Sequence, residues 1–192
     1  MKIILGSTSK SRLEILEKLG YEVGVRKPEI DEKAIRCKNP TELTLALANA
    51  KSKKLQSWID EPAILITADQ VVLVDRQVRE KPESIEEART FLKSYAHQSV
   101  QTITSVVVYN TKTGAHSEGT DVATIWFRPI DDQTIDALIQ KGEIMSCCGG
   151  FKAEDPLLKP FIMRLEGTME SIMGMPPELT KRLIEEVRNV TW

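Results

Sequence analysis

The chain has 192 residues, of which 41% are hydrophobic and 28% charged, and its formal net charge is -2. A chain of this size can bury a core as a single domain over residues 1–192, or as two lobes that share a sheet. The small net charge excludes a global attraction to nucleic acid or to membranes, so any bound anion needs a local cluster of cations.

The N-terminal segment and the cysteines indicate the cellular compartment of the protein. Residues 1–6 carry one charge and too short an apolar run for a signal peptide, and no segment approaches transmembrane length. Cys37, Cys147 and Cys148 are odd in number and two of them are adjacent, which suits a reducing compartment better than a disulfide framework. We therefore expect a cytoplasmic protein without a membrane segment.

The opening of the chain predicts a strand, a loop and a helix. Residues 2–5 form an apolar strand, Ser9 can cap the helix that follows the loop, and Gly20 stops that helix. The free N–H groups of the helix start, with Arg12 one turn later, form a candidate anion site. The alternative is that Ser9 only begins a helix.

A second strand is predicted over residues 21–26, followed by an irregular connection that carries Asp31 and Glu32. From Pro40 the pattern predicts a long helix, with Lys51 and two neighbouring lysines on or near one side. Such a run of charges is usually a solvated helix face, so this pattern alone does not single out Lys51.

A carboxylate follows one of the most apolar stretches of the chain. Asp69 comes after residues 63–68, and residues 70–74 resume the apolar pattern. An ionised carboxylate buried there loses hydration unless it is paired, bound to metal or set at the edge of a cleft. We interpret Asp69 as a chemically active residue, and Lys81 downstream supplies a nearby cation.

The rest of the chain alternates strand and helix patterns. We expect an α/β fold with a mixed, twisted sheet. The predicted elements are a turn near Asp75, a return strand over 77–80, a helix from Ser84 to about Tyr95, paired strands over 99–109 and 121–127, a helix over 131–141, a flexible loop over 148–154, a strand over 161–165 and a closing helix over 177–190.

An ordered set of short motifs runs through the chain. They are Leu5-Gly6-Ser7-Thr8-Ser9 with Arg12, Asp31-Glu32, Leu47-Ala48 with Lys51, Ala68-Asp69-Gln70-Val71-Val72, Lys81-Pro82, Phe151-Lys152-Ala153-Glu154, Leu165-Glu166-Gly167 and Gly174-Met175-Pro176. In this order and spacing they resemble the Maf family over almost the whole chain. The resemblance implies a nucleoside triphosphate pyrophosphatase that depends on a divalent metal, Mg²⁺ or Mn²⁺. It also implies a two-lobed fold with a nucleotide cleft between the lobes, commonly as a homodimer.

The resemblance and the chemistry of phosphoanhydride hydrolysis assign the same roles. The reaction needs a deprotonated water and neutralisation of a highly charged substrate. Asp69 is the candidate for positioning or deprotonating the water, and Glu32, with Asp69, could hold the metal. The expected phosphate-binding residues are Ser7, Ser9, Arg12, Lys51 and Lys81. Glu32 and Lys81 are also counted as catalytic beside Asp69.

The positions that face the base separate branches of the family. The branch resembling dTTP/UTP pyrophosphatases has Arg, Thr and Gln where this chain has Ser11, Gln70 and Glu154. The chain is more similar to the 7-methyl-GTP pyrophosphatase branch. A carboxylate at Glu154 can accept hydrogen bonds from guanine N1–H and its amino group together, which uracil cannot offer.

Two alternatives remain open at this point. The chain could be a broader house-cleaning pyrophosphatase for noncanonical nucleotides, or a nucleotide-binding regulator of cell division without catalysis. The combination of Asp69, Glu32 and Lys81 favours an enzyme, because a protein that only binds nucleotides does not need a water-activating carboxylate beside the phosphates.

Overall fold

The computed structural model describes residues 1–189. Over these residues the chain forms seven strands and six α-helices, joined by turns and short 3-10 segments. In chain order they are β1 (Lys2–Leu5), α1 (Lys10–Lys18), β2 (Val23–Val25), α2 (Pro40–Gln56), β3 (Ala63–Val74), β4 (Gln77–Arg79), α3 (Ile85–Ser94), β5 (Val100–Asn110), β6 (His116–Phe127), α4 (Asp132–Lys141), β7 (Ile162–Glu166), α5 (Met169–Ile172) and α6 (Pro177–Arg188).

The strands form one mixed sheet in the order β2-β1-β3-β5-β6-β7, with β4 paired to β3. Strand β1 is parallel to both β2 and β3, and Ile4 lies opposite Gly24 on one side and Leu65 on the other. Parallel neighbours need a crossover, which α1 provides between β1 and β2. Strands β3 and β4 are antiparallel, and Asp75 and Arg76 join them with positive φ angles of 47° and 62°, as tight hairpins require. The predicted α/β class with a mixed sheet is confirmed.

The chain divides into two compact units. The first unit contains residues 1–69, residues 104–121 and the segment that begins at Gly174, and the second contains residues 70–103 and 122–173. The boundary between Asp69 and Gln70 therefore falls inside β3.

Each unit has its own hydrophobic core. In the first, Ile4 and Leu65 of the sheet pack with Leu55 of α2. In the second, the rings of Tyr95, Phe127 and Phe151 contact one another, with centroids 5.6 to 5.9 Å apart. None of the helices formed by residues 1–189 has both the length and the apolar character needed to cross a membrane.

Two local features differ from the prediction. Segment 148–154, expected to be a flexible loop, is packed, since Gly149, Gly150 and Phe151 are buried. Helix α5 was not predicted, because four residues are too short to display a helical period. The closing helix ends at Arg188, and Val190, its predicted last residue, lies outside the described residues.

Candidate active site

Helix α2 carries a lysine on its buried face. Residues four positions apart lie on the same side of a helix, and Lys51 occupies one position in a row of buried leucines. The lysine is therefore held in the interior, where only 6% of its surface is exposed. The leucines of this row are Leu43, Leu47 and Leu55.

Lys51 bridges two carboxylates. Its Nζ lies 2.5 Å from Oδ1 of Asp69 and 2.9 Å from Oε1 of Glu32. Asp69 is 8% exposed, whereas half of the Glu32 side chain is exposed, at the start of a short 3-10 turn capped by Asp31. We call Glu32, Lys51 and Asp69 the Lys51 cluster. In this cluster a single ammonium contacts both a buried carboxylate, that of Asp69, and a half-exposed one, that of Glu32.

The pKa of Asp69 is raised above its ordinary value of 3.8. Burial is the largest cause, because desolvation disfavours the ionised carboxylate, and the charge of Glu32 adds to the effect. Lys51 and Arg12 act in the opposite direction. A raised pKa brings this carboxyl closer to the pH at which a general base is most effective, and such perturbed groups are typical of active sites.

Arg12 is fixed by main-chain carbonyls of the same unit. Its Nη1 donates to the carbonyl oxygen of Ala68 at 2.7 Å, and its Nε donates to that of Gly174 at 2.9 Å. Ala68 directly precedes Asp69 in β3, so the guanidinium is tied to the strand that carries the buried carboxylate. Its role in phosphate binding stays a prediction.

The first loop caps α1 as the sequence predicted. The Oγ of Ser9 accepts a hydrogen bond from the N–H of Arg12, and the Oγ of Ser7 accepts one from the N–H of Ser9. Ser11 lies in the first turn of α1 and is half-buried. The two serine hydroxyls therefore organise the start of the helix.

The predicted residues of the second unit are Gln70, Lys81 and Glu154. The Nε2 of Gln70 donates to the carbonyl oxygens of Ser171 and Ile172, each at 3.1 Å, so that α5 orients the amide. Lys81 follows β4 and is exposed. The structure thus brings Arg12 and the Lys51 cluster together in the first unit. Gln70, Lys81 and Glu154 belong to the second unit.

Glu154 lies between two anchored neighbours. Ala153 is buried in the core of the second unit, and Asp155 is only 6% exposed. The Asp155 carboxylate accepts from Nζ of Lys141 at 2.9 Å and from the N–H of Leu157 at 2.8 Å. The backbone at Glu154 is therefore held on both sides.

The Lys51 cluster has the donor chemistry that a hard divalent cation requires. Asp69 and Glu32 both contact one cationic group, the Lys51 ammonium, and each contributes carboxylate oxygen. Among the side chains that the structure describes, no group of three or more from His, Cys, Asp or Glu is arranged to bind a metal ion. Mg²⁺ is often bound by one or two carboxylates together with water and substrate phosphates, so a two-carboxylate set fits this mode.

The chain matches one known protein family over nearly its whole length. The family described as Maf-like protein matches residues 2–187. The chain belongs to the Maf family. The resemblance predicted from the ordered motifs is confirmed.

Several proteins similar to this Maf protein are named as pyrophosphatases. It is 42% identical to a 7-methyl-GTP pyrophosphatase from Dictyostelium discoideum, over 96% of each chain. It is 31% identical to a 7-methyl-GTP pyrophosphatase from Vibrio vulnificus, over 91% of this chain and 89% of the relative. A dTTP/UTP pyrophosphatase from Vibrio cholerae is 28% identical, over 96% of this chain and 97% of the relative.

The burial of Lys51 was not predicted from the sequence. Lys53 and Lys54 are exposed, whereas Lys51 is buried, so the three lysines do not share one solvated face. The four-residue spacing from Leu47 through Lys51 to Leu55 was the signal that could have separated them.

The buried Asp155 gives a stability prediction for this Maf protein. Burial raises its pKa, but the hydrogen bonds from Lys141 and the Leu157 N–H outweigh burial, so the net pKa lies below the ordinary 3.8. A lowered folded-state pKa stabilises the fold above the unfolded-state pKa, and this stabilisation is lost as the pH falls through the folded-state value. We expect Asp155→Asn to lower the free energy of unfolding by about 1–3 kcal/mol at pH 7, and by progressively less as the pH falls below the ordinary Asp pKa of 3.8.

Denaturant unfolding at several pH values tests this expectation. Asp132→Asn is the control, because the Asp132–Lys93 pair is exposed on both sides and such surface pairs contribute little. Equal losses for Asp155→Asn and Asp132→Asn at pH 7 would contradict the structural role given to Asp155.

Proposed function

We propose that this chain is a nucleoside triphosphate pyrophosphatase that hydrolyses the α–β phosphoanhydride of 7-methyl-GTP or a similar modified nucleotide. The observation that carries the proposal is the buried Asp69 held by Lys51 beside Glu32. The names of the relatives support the reaction, and the 42% identical one supports 7-methyl-GTP as the substrate.

In the proposed reaction, water attacks the α-phosphorus. Asp69 accepts a proton from the water as the new P–O bond forms, and the bond between the α-phosphorus and the bridging oxygen breaks. The electron pair of that bond leaves with pyrophosphate, and the proton later passes from Asp69 to solvent. Lys51 favours the ionised form of Asp69 before attack, since its charge opposes the effect of burial on the Asp69 pKa.

We propose that Glu32 and Asp69 hold a divalent cation, Mg²⁺ or Mn²⁺. A bound cation would neutralise phosphate charge and polarise the phosphoryl group. The carboxylate oxygens of these two residues are the ligand type that such ions prefer.

Lys81 is proposed to bind the triphosphate rather than the base. Lys81→Ala should raise KM for purine and pyrimidine triphosphates by a similar factor, because each substrate loses the same charge-assisted contact to phosphate oxygen. Steady-state kinetics on 7-methyl-GTP and UTP measure this, with the exposed Lys159→Ala as the control. A reversal of the preference between the two nucleotides at unchanged overall efficiency would place Lys81 at the base.

Glu154 is proposed to select the guanine edge. Glu154→Gln replaces one acceptor with a donor that faces the donors of the base, a mismatch that costs about 1–3 kcal/mol. We expect kcat/KM for 7-methyl-GTP to fall selectively while pyrimidine triphosphates are spared, since specificity is a ratio between competitors. The exposed Glu86→Gln is the matched control. Equal losses for all substrates would instead assign Glu154 to support of its loop or of the metal.

A nucleotide panel tests the proposed function. The protein is incubated with 7-methyl-GTP, GTP, UTP, dTTP and noncanonical triphosphates in the presence of Mg²⁺, and pyrophosphate release is measured. Preference for 7-methyl-GTP supports the proposal. Similar rates on many noncanonical nucleotides would favour the broader house-cleaning enzyme, and binding without turnover would favour a regulator.

We also propose a cytoplasmic homodimer. Cys37, Cys147 and Cys148 form no disulfide bond, which suits a reducing compartment. Strand β7 ends the sheet and carries the exposed Met163, and an unpaired strand edge of this kind can pair with a second copy. Light scattering of the purified protein measures the assembly, and a monomer at all concentrations would contradict it.

A further inference from the structure

The turn formed by Cys148, Gly149 and Gly150 contacts two segments of the second unit. One contains Gln70, which the family resemblance places at the base, and the other precedes Lys81, which is proposed to bind the triphosphate. The Sγ of Cys148 donates to the carbonyl oxygen of Gln70 at 3.0 Å. The N–H of Gly149 donates to the carbonyl oxygen of Glu80 at 2.9 Å, and Glu80 directly precedes Lys81. One turn therefore holds the main chain at the proposed base-facing residue and beside the proposed phosphate-binding lysine.

The backbone of this turn allows the close approach. Gly149 has a φ of +69°, and a Cβ at this position would lie 2.9 Å from the hydroxyl of Tyr95 and 2.9 Å from Cγ2 of Val72. Both the left-handed conformation and the lack of space require glycine here. Val72 lies two residues after Gln70 in β3, so the turn packs along the same stretch of strand that Cys148 contacts.

Tyr95 also fixes the turn. Its hydroxyl donates to the carbonyl oxygen of Gly149 at 2.5 Å. Burial raises the pKa of Tyr95 to about 12, so the phenol remains a neutral donor at neutral pH. The Tyr95 ring also contacts Phe151, which follows the turn, at a centroid distance of 5.6 Å. The turn is thus held by the aromatic cluster of the second unit.

We propose that Cys148 is a positioning residue for base selection, which acts through the main chain of Gln70. This inference rests on the proposed function and extends it to a residue that touches neither base nor phosphate in the scheme. A thiol is a weak donor. Removing the Cys148 thiol nevertheless deprives the Gln70 carbonyl of this contact, so that β3 can shift beside the Gln70 side chain. The neighbouring Cys147 donates to the carbonyl of Glu143 instead.

Three variants test the proposal. Cys148→Ala removes the donor, Cys148→Ser keeps one, and Cys147→Ala is the matched control. We expect Cys148→Ala to lower the ratio of kcat/KM for 7-methyl-GTP to that for UTP by about 2–10-fold, the range for loss of one hydrogen bond. Cys148→Ser should restore most of the ratio, and Cys147→Ala should leave it unchanged.

The outcomes separate this inference from the proposed function. A merely structural role for Cys148 would lower the active fraction, so that kcat falls equally for both nucleotides and their ratio stays constant; that result overturns the inference and leaves the function standing. A wild-type protein that neither hydrolyses nor binds 7-methyl-GTP or UTP, measured by calorimetry, overturns both. If Cys148→Ala unfolds, Tyr95→Phe removes the donor to the same turn while keeping the ring, and an unchanged ratio in that variant also counts against the proposal.

Discussion

Asp69→Asn is expected to lower kcat for pyrophosphate release roughly 10²–10⁴-fold, the usual range for loss of a general base. The amide keeps the size and shape of the carboxylate but cannot accept the proton from water. The fold should be retained, because the amide oxygen can still accept from Lys51 and the ammonium keeps its contact with Glu32 at 2.9 Å.

The matched control is Asp60→Asn, an exposed aspartate of the same unit. Both variants are assayed at saturating Mg²⁺, and nucleotide binding is measured separately by calorimetry. Near-normal turnover in Asp69→Asn would remove Asp69 as the base, and loss of binding without a change in kcat would assign it to substrate recognition.

Lys51→Met is expected to reduce both stability and activity. Methionine fills a similar volume but leaves the Asp69 carboxylate, 8% exposed, without its ammonium partner. Removing one partner of a buried ion pair costs about 3–5 kcal/mol. The pKa of Asp69, already raised by burial, should rise further.

The direction of the pH dependence follows from that rise. A general base must be ionised, so activity is lost as the pH falls through the folded-state pKa of Asp69. In Lys51→Met the acid limb of the kcat profile should therefore move to higher pH. The stability deficit should shrink at low pH, where Asp69 binds a proton and its burial no longer removes a charge from water.

Lys53→Met is the control for this experiment, because Lys53 lies on the same helix and is exposed. A Lys51→Met protein with the wild-type pH profile would show that Lys51 does not control the ionisation of Asp69. A protein that is stable yet inactive at every pH would instead assign Lys51 to phosphate binding.

The sequence predicted the elements whose signals are local. Ser9 caps α1, the hairpin turn falls at Asp75 and Arg76, and Gly20 follows the end of α1 with a positive φ of 87°. Each of these depends on one or two residues and their immediate neighbours. Asp69 was predicted because a carboxylate among apolar strand residues is costly unless it has a partner.

The partners themselves were harder to predict, because they depend on tertiary contacts. Nothing near Lys51 in the sequence indicates Asp69, which is 18 positions away, and the ion pair forms only when α2 packs beside β3. The contact between Cys148 and Gln70 joins residues 78 positions apart. Only the folded chain shows the carbonyl oxygens that accept from the Cys147 and Cys148 thiols.

The position of bond cleavage shows whether water attacks the α-phosphorus and whether Asp69 is needed for that attack. Wild type and Asp69→Asn are incubated with 7-methyl-GTP and Mg²⁺ in ¹⁸O-labelled water, and the products are analysed by mass spectrometry. We expect wild type to yield 7-methyl-GMP carrying the label and unlabelled pyrophosphate, and Asp69→Asn to yield almost none of either. Formation of 7-methyl-GDP and labelled inorganic phosphate would contradict attack at the α-phosphorus, and equal rates for the two proteins would contradict the role of Asp69.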